Sequence, residues 1–413
     1  MSLKLMIKQD VLKQVSGQSG LFFVEYFTIF QLVAYLPPVV YTTLRGMQMK
    51  VAILGAGHGG IAMAGDLTLA GHEVRLAADP KHASNLQLLM AFGGIMVEGV
   101  TSSGAPVGFA KPAMMTTDVA AALKGAEVVM VVVPAFGQEP YMQALIEHGE
   151  KGQIIVFNPG KFGTLVFARM LREAGRSNDF IIGETTSFIF AAKTKGLGHV
   201  NIKAAKEELP FAALPAKRTA EALWVLTDLY PQLSPSMGVL QTSIDAPGLI
   251  IHPISTLMNM SRIEQMGPYR NSHYDITPSV GRIMEAVDQE RMEVARLLCR
   301  ETFSFMDTMQ VLYKVKGESA YDMMYQVSAH NVQMAPDSLN HRYVTEDIPY
   351  GLATIAAIGR QIGVPVPRIE AMVNVACMAN GVDYWSSGRT VEKMGLSGMN
   401  GQQMARYALE GTL

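Results

Sequence analysis

KVAILGAGHGGIAMAGDLTLAGHEVRLAAD, residues 50–79, is the stretch that decides the fold. Val51 to Leu54 is a short unbroken apolar run, the pattern of a parallel strand covered on both faces. Gly55, Gly57 and Gly60 follow in GxGxxG spacing. Small and aliphatic residues then continue to Leu69 as a helix, Gly71 ends it, and Glu73 to Ala78 reads as a second strand. A bare GxGxxG says little. Strand, glycine turn, helix and strand in this order describe a dinucleotide site rather than a plain packing turn. Gly55 permits the tight turn, Gly57 lets the backbone approach a pyrophosphate, and Gly60 lets helix and strand pack closely. The unpaired amides at the helix start face the phosphates, and His58 borders them. The choice between NAD and NADP stays open. Asp79, just past the second strand, suits a ribose 2′-hydroxyl, whereas Lys81 and His82 suit a 2′-phosphate.

Working outward, residues 125–136, 152–163 and 180–186 repeat the apolar strand pattern, and the middle one leads into a helix, TLVFARMLREAG. Ligands in such sheets sit beyond the carboxyl ends of the strands. Pro134, Ala135, Asn158, Pro159 and Gly160 are therefore expected to border the cofactor. Glu184 either points at the cleft or fills a turn. After residue 212 longer helical patterns take over, at 219–230, 279–299, 350–363 and 364–381. The expected architecture is α/β: a Rossmann-type parallel-sheet domain over 49–212, a mainly α-helical substrate and catalytic domain over 213–413, and an apolar extension over 1–48.

The extension fits this scheme poorly. Residues 26–44 carry no charge and are just long enough to span a bilayer, but Pro37 and Pro38 would break a helix. A poorly integrated extension or an element docked on the body is favoured over membrane association through residues 21–44 or a processed leader. Met47 and Met49 each offer a natural start. The chain has 413 residues, 49% hydrophobic and 17% charged, so a large core is feasible. A net charge of -2 gives no basic surface for nucleic acid. The two cysteines, Cys299 and Cys377, are far apart and lack metal-ligand spacing, so buried thiols in a cytoplasmic protein are expected, with no metal site.

Hydride exchange with a nicotinamide also requires a group that moves a proton beside the ring. His252, in LIIHPISTLMNMSRIE, precedes Pro253, a residue favoured at the first helical position. It is thus expected at a helix start on a cleft edge, either handling protons or merely capping the helix. His273, His330 and His341 compete on composition alone. Asp347 is a candidate to hold one imidazole nitrogen, and Arg342 to grip a carboxylate through two parallel contacts. A solvent-exposed pair of little energetic consequence is the alternative for these two.

GAGHGG (55–60), HPISTLMNMSRIE (252–264), SVGRIMEAVDQER (279–291), RYVTEDIPYGL (342–352) and GVDYWSSGRTVEKMGL (381–396) together resemble the opine dehydrogenases, the family that includes octopine and nopaline dehydrogenases. The resemblance covers about residues 50–400. It implies a Rossmann domain followed by a helical domain of the 6-phosphogluconate dehydrogenase C-terminal type. It also implies an oxidoreductase, monomeric or homodimeric, that joins an amino acid to a 2-keto acid and reduces the imine with NADH or NADPH. On this basis His252 is the acid–base group, Asp347 orients it, Arg342 holds the keto-acid carboxylate, and Asn259, two helical turns on, lines the pocket. Glu285, Asp288 and Arg291 have helical spacing and are expected to pair internally, while Lys314 and Lys316 either attract a second carboxylate or are simply solvated. Two alternatives remain: a two-domain 2-keto acid or glycerol-phosphate-type reductase relying on a lysine, and an inactive dinucleotide-sensing or scaffold protein.

Overall fold

The computed structural model describes residues 48–266, 270–271, 276–299, 301–327, 333–334 and 336–412. The apolar extension up to residue 47, with its 21–44 segment, and His273 and His330 lie outside the described residues. Among the described residues no helix is long and apolar enough to cross a membrane.

The N-terminal half is built on strands β1 (Lys50–Leu54), β2 (Glu73–Ala77), β3 (Ile95–Gly99), β4 (Gly108–Ala110), β5 (Met114–Thr116), β6 (Val128–Val131), β7 (Ile154–Phe157), β8 (Ile181–Thr185), β9 (Phe190–Thr194), β10 (His199–Ala205), β11 (Leu209–Leu214) and β12 (Leu233–Pro235). The main sheet runs β12-β11-β8-β7-β6-β1-β2-β5. Its strands pair in parallel except where β11 lies antiparallel to β8. The division expected at 212/213 falls inside β11, and the sheet gains its last strand only at β12. Helix α6 (Thr219–Leu226) returns the chain to that edge, which a reading by helical spacing alone could not show.

A second sheet, β4-β3-β10-β9, covers helix α1 (His58–Leu69) from the other side. This explains why Gly60 to Leu67 is buried without a break: a helix covered on two flanks needs apolar or small residues all round. Gly65 belongs to that contact, since a Cβ there would lie 2.5 Å from Val97 Cγ2.

The remaining helices are α2 (Ser84–Phe92), α3 (Val119–Leu123), α4 (Gln138–His148) and α5 (Gly163–Glu173) in the first half. In the second they are α7 (Val239–Ile244), α8 (Gly248–Met258), α9 (Met260–Met266), α10 (Pro278–Leu298), α11 (Phe305–Tyr313), α12 (Ala320–Gln326), α13 (Arg342–Thr345), α14 (Ala353–Ile362), α15 (Pro367–Asn380), α16 (Tyr384–Ser387) and α17 (Gly401–Glu410). The second half is thus mainly helical, with α10 at its centre, packed against α7, α8, α12, α14, α15 and α17.

Alternate strand residues serve two cores, as the two-residue side-chain period requires. Val51, Ile53, Val128, Met130, Ile154 and Val156 pack with α1. Ala52, Leu54, Val129, Val131, Ile155 and Phe157 belong to a core continuous with the helical half. One face of the nucleotide sheet is therefore joined to the helices by shared apolar packing.

Candidate active site

The glycine turn is shaped by close approach at two positions and openness at the third. Gly55 has φ +116°, and a Cβ there would lie 2.4 Å from the Val132 carbonyl oxygen. A Cβ on Gly60 would come within 1.8 Å of the Gly55 carbonyl oxygen. Around Gly57 a Cβ would meet nothing within 4 Å. Helix α1 starts directly after it without a side-chain cap. Uncapped amides beside open space fit a pyrophosphate.

His58 stands at this helix start, its Nδ1 2.7 Å from Thr194 Oγ1. Burial lowers its pKa, and the charges of Lys193 and Arg342 lower it further. Asp79 lies two residues beyond β2. Its Oδ1 accepts from Lys81 N at 2.8 Å, and its own N–H donates to Tyr141 Oη at 2.9 Å. Pro134 opens the turn after β6, and the Ala135 N–H donates to Glu346 Oε1 at 3.0 Å. Asn158 is turned into the interior: its Nδ2 donates to the Val156 carbonyl at 3.3 Å, and its Oδ1 accepts from Thr185 Oγ1 at 3.1 Å. Its side chain ties β7 to β8.

His252 is not at a helix start. Helix α8 begins after Pro247, and Pro253 sits inside it. The backbone is already helical from Gly248 to Ile251, so Pro253 continues the helix rather than opening it. His252 therefore lies a full turn inside the helix, with its side chain 26% exposed. Its Nδ1 is 2.9 Å from Asp347 Oδ2, and its ring stacks on Tyr343 at 3.8 Å and 6°. An Nδ1–H donated to the carboxylate leaves Nε2 as the nitrogen able to exchange a proton. Burial lowers the His252 pKa. Asp347 opposes that shift, while Arg342 and Lys161 reinforce it.

Asp347 is 2% exposed and follows α13 at the entrance to a wide π-helical turn, Ile348–Leu352. Its second oxygen accepts from Lys161 Nζ. Burial alone would raise its pKa, but Lys161 and His252 outweigh burial and hold the carboxyl low.

Sequence reasoning passed over Lys161. It stands in the loop after β7, beside the Pro159 and Gly160 already expected near the cofactor, and that position was the available signal. Lys161 and Phe162 have φ of 52° and 61°, left-handed conformations that cost a non-glycine residue about 1–2 kcal/mol each. The turn is pinned by neighbours. Arg389 Nε donates to the Lys161 carbonyl at 2.7 Å, and Phe162 N donates to Ser243 Oγ at 2.6 Å. Arg389, also unforeseen, is fully buried and reaches Gln138 Oε1 and the Ala135 carbonyl.

Arg342 keeps a half-exposed guanidinium at the rim, with Nη1 3.5 Å from Glu346 Oε2 and Cζ 5.6 Å from the Tyr343 ring centre. Its positive charge lowers the pKa of both His58 and His252. Asn259 ends α8, and its Nδ2 donates to the Ser255 carbonyl within the same helix at 2.8 Å.

Several other expectations resolve inside the protein. Glu184 is fully buried beneath the Gly160 turn, bound by Thr242, Ser243 and Thr164 N, and burial raises its pKa. Arg291 pairs with Asp288 at 2.7 Å and Asp245 at 2.6 Å, whereas Glu285 accepts from Ala320 N. Lys314 and Lys316 are exposed. Cys299 and Cys377 are free thiols, and burial raises the Cys299 pKa to about 12.

Residues 235–380 match the family model for the α-helical domain of NAD/NADP octopine/nopaline dehydrogenases. Residues 50–157 match that of the coenzyme F420-dependent NADP oxidoreductases. An opine dehydrogenase from Arthrobacter sp. (strain 1C) is 34% identical over 349 residues, covering 84% of this chain and 95% of that protein. A vitopine synthase from Allorhizobium ampelinum (strain ATCC BAA-846 / DSM 112012 / S4) is 23% identical over 364 residues, with 85% and 96% covered. In fold, the chain is similar to an octopine dehydrogenase solved with NADH and L-arginine: TM-score 0.72, 20% identity, 89% of this chain and 99% of that chain. With the Arthrobacter relative matched over nearly its whole length, the chain belongs to the octopine/nopaline (opine) dehydrogenase family.

Proposed function

We propose that His252 is the acid–base group of an NAD(P)H-dependent reductive condensation in which an amino acid and a 2-keto acid give an N-(carboxyalkyl) amino acid. The observation that carries this assignment is the His252–Asp347 contact of 2.9 Å, made by a buried carboxylate and a ring held flat on Tyr343. Bound NAD(P)H supplies the hydride. His252 Nε2 gives a proton to the keto oxygen as the amine adds and water leaves, and takes one back in the reverse direction. Asp347 holds the Nδ1–H tautomer and offsets the imidazolium charge. Arg342 holds the keto-acid carboxylate with its planar fork, and Asn259 lines the substrate side of α8.

The cofactor rests on Gly55, Gly57 and Gly60, with His58 beside the pyrophosphate, Asp79 toward the ribose, and Pro134, Ala135 and the Asn158 strand end bordering the nicotinamide. The glycine-turn geometry and the uncapped α1 support this placement. The free thiols support a cytoplasmic setting.

The deciding experiment offers NADH or NADPH with pyruvate and a panel of amino acids, and identifies the secondary-amine dicarboxylate by mass spectrometry. No amine-dependent oxidation across the panel would sink the proposal. Oxidation with keto acid alone would favour the simple reductase, for which the buried Lys161 is a specific reason to look. His252→Ala should keep NAD(P)H binding and lose about 10²–10⁴ in turnover.

A further inference from the structure

We propose that Lys161, supplied by the nucleotide-binding half, is a positioning residue of the acid–base site: it keeps Asp347 a charged acceptor aimed at His252, so that the dyad is complete only when the two halves are in register. This rests on His252 as the acid–base group. The two oxygens of one carboxylate are divided between donors from the two halves. Oδ2 faces His252 Nδ1 at 2.9 Å and Oδ1 faces Lys161 Nζ. The side chains of Asp347 and Lys161 are only 2% and 9% exposed, so neither charge has bulk water as an alternative partner. Without the ammonium, the buried carboxylate's charge would be offset by drawing a proton onto the Asp347–His252 pair. His252 would then no longer rest as a neutral imidazole of fixed tautomer.

The backbone gives a second, independent indication. Lys161 and Phe162 are consecutive non-glycine residues with left-handed φ. Strain of this kind persists only where the surroundings over-determine it, and it clusters at functional sites. Here Arg389 Nε holds the Lys161 carbonyl and Ser243 Oγ holds the Phe162 N–H. The result aims the ammonium across the junction.

The charge balance follows. The groups facing His252 are Asp347 at its edge, Tyr343 on its face, Lys161 and Arg342 as cations, and His341 beyond Tyr343. Lys161 partly offsets the Asp347 charge, so the imidazole meets a weakened anion rather than a bare one. Taking away the ammonium leaves that anion uncompensated and strengthens proton binding at His252.

The test is an NMR titration of the His252 imidazole in the full-length chain, assigned by the signal lost in His252→Ala. Lys161→Gln removes the charge yet can still donate to Asp347, and Lys161→Arg keeps the charge. The titration midpoint should rise by about one pH unit in Lys161→Gln and stay near wild type in Lys161→Arg. Coincident titrations for wild type and Lys161→Gln, or equal shifts in both variants, would overturn the proposal. If Lys161→Gln does not accumulate as folded protein, the Lys161→Met/Asp347→Asn double variant decides. It should resist urea better than Asp347→Asn alone, because no buried ammonium is left unpaired. A double variant less stable than Asp347→Asn would refute the coupling. The titration reads the imidazole itself, so a failure to form an opine would sink the functional assignment and leave this result standing.

Discussion

Asp347→Asn changes one oxygen to an amide NH2 at nearly constant shape, and the geometry makes that small change severe. Both carboxylate oxygens accept, one from His252 and one from Lys161. An amide offers a single acceptor oxygen. Turned toward His252, it leaves the Lys161 ammonium buried against an NH2. Turned toward Lys161, it sets an NH2 against His252 Nδ1, which must give up its proton to accept. The proton then sits on Nε2, and the base is lost. Breaking a buried charge pair costs about 3–5 kcal/mol. Loss of an oriented acid–base group costs about 10²–10⁴ in turnover. The assays are amine-dependent NADH oxidation, NADH binding by fluorescence and urea unfolding. Cofactor binding should change little, since the glycine turn is untouched. Turnover within about threefold of wild type, or urea stability equal to wild type, would refute the reasoning.

Arg342→Lys should raise KM for the keto acid by about tenfold while changing kcat less, because a point charge cannot reproduce a planar fork; unchanged keto-acid kinetics would remove Arg342 from the site. Gly60→Ala would place a Cβ 1.8 Å from the Gly55 carbonyl oxygen and should weaken NAD(P)H binding at least about tenfold, read by fluorescence titration; wild-type affinity would refute the tight-turn account. In the opine-oxidising direction His252 must be neutral to accept a proton. Burial, with Arg342 and Lys161, lowers its pKa against the pull of Asp347, so kcat/KM should fall with acid only below about pH 6.5; a fall beginning above pH 7 would contradict this.

What the sequence made legible depended on how local each constraint is. The glycine turn is set by three residues within six positions, and the closest approach, Gly60 against the Gly55 carbonyl, lies inside one βαβ unit. The start of α8 misled because Pro253 reads as an opening residue, whereas the chain is already helical from Gly248, with Leu249 and Ile250 buried. The second sheet escaped because its strands are short, broken by glycine and covered on one face, as in Ile95–Gly99 and Gly108–Ala110. Lys161 escaped for a different reason. Its partner is 186 residues away, and its direction depends on a left-handed backbone that sequence normally marks with glycine or asparagine. His252, Asp347 and Arg342 were reachable through the resemblance of their segments to a family, with bare spacing leaving them undecided.

The junction explains why the His252–Asp347 pair is carried where it is. Strands β6 and β7 are parallel neighbours, with Val131 paired to Phe157 at their carboxyl ends. The loops that follow them begin about 4.8 Å apart. Glu346 and Asp347 are adjacent residues, about 3.8 Å apart along the backbone. Glu346 grips the first loop through Ala135 N, and Asp347 grips the second through Lys161 Nζ. Arg389 ties the two loops together from behind, through the Ala135 and Lys161 carbonyls. Two successive side chains thus match the spacing of two successive strands, and the same Asp347 carries His252. The imidazole is therefore referenced to the carboxyl ends of β6 and β7, where the nicotinamide is proposed to lie. For a reaction in which an imine must meet a hydride and a proton in one place, that fixed reference supplies the alignment on which the rate depends.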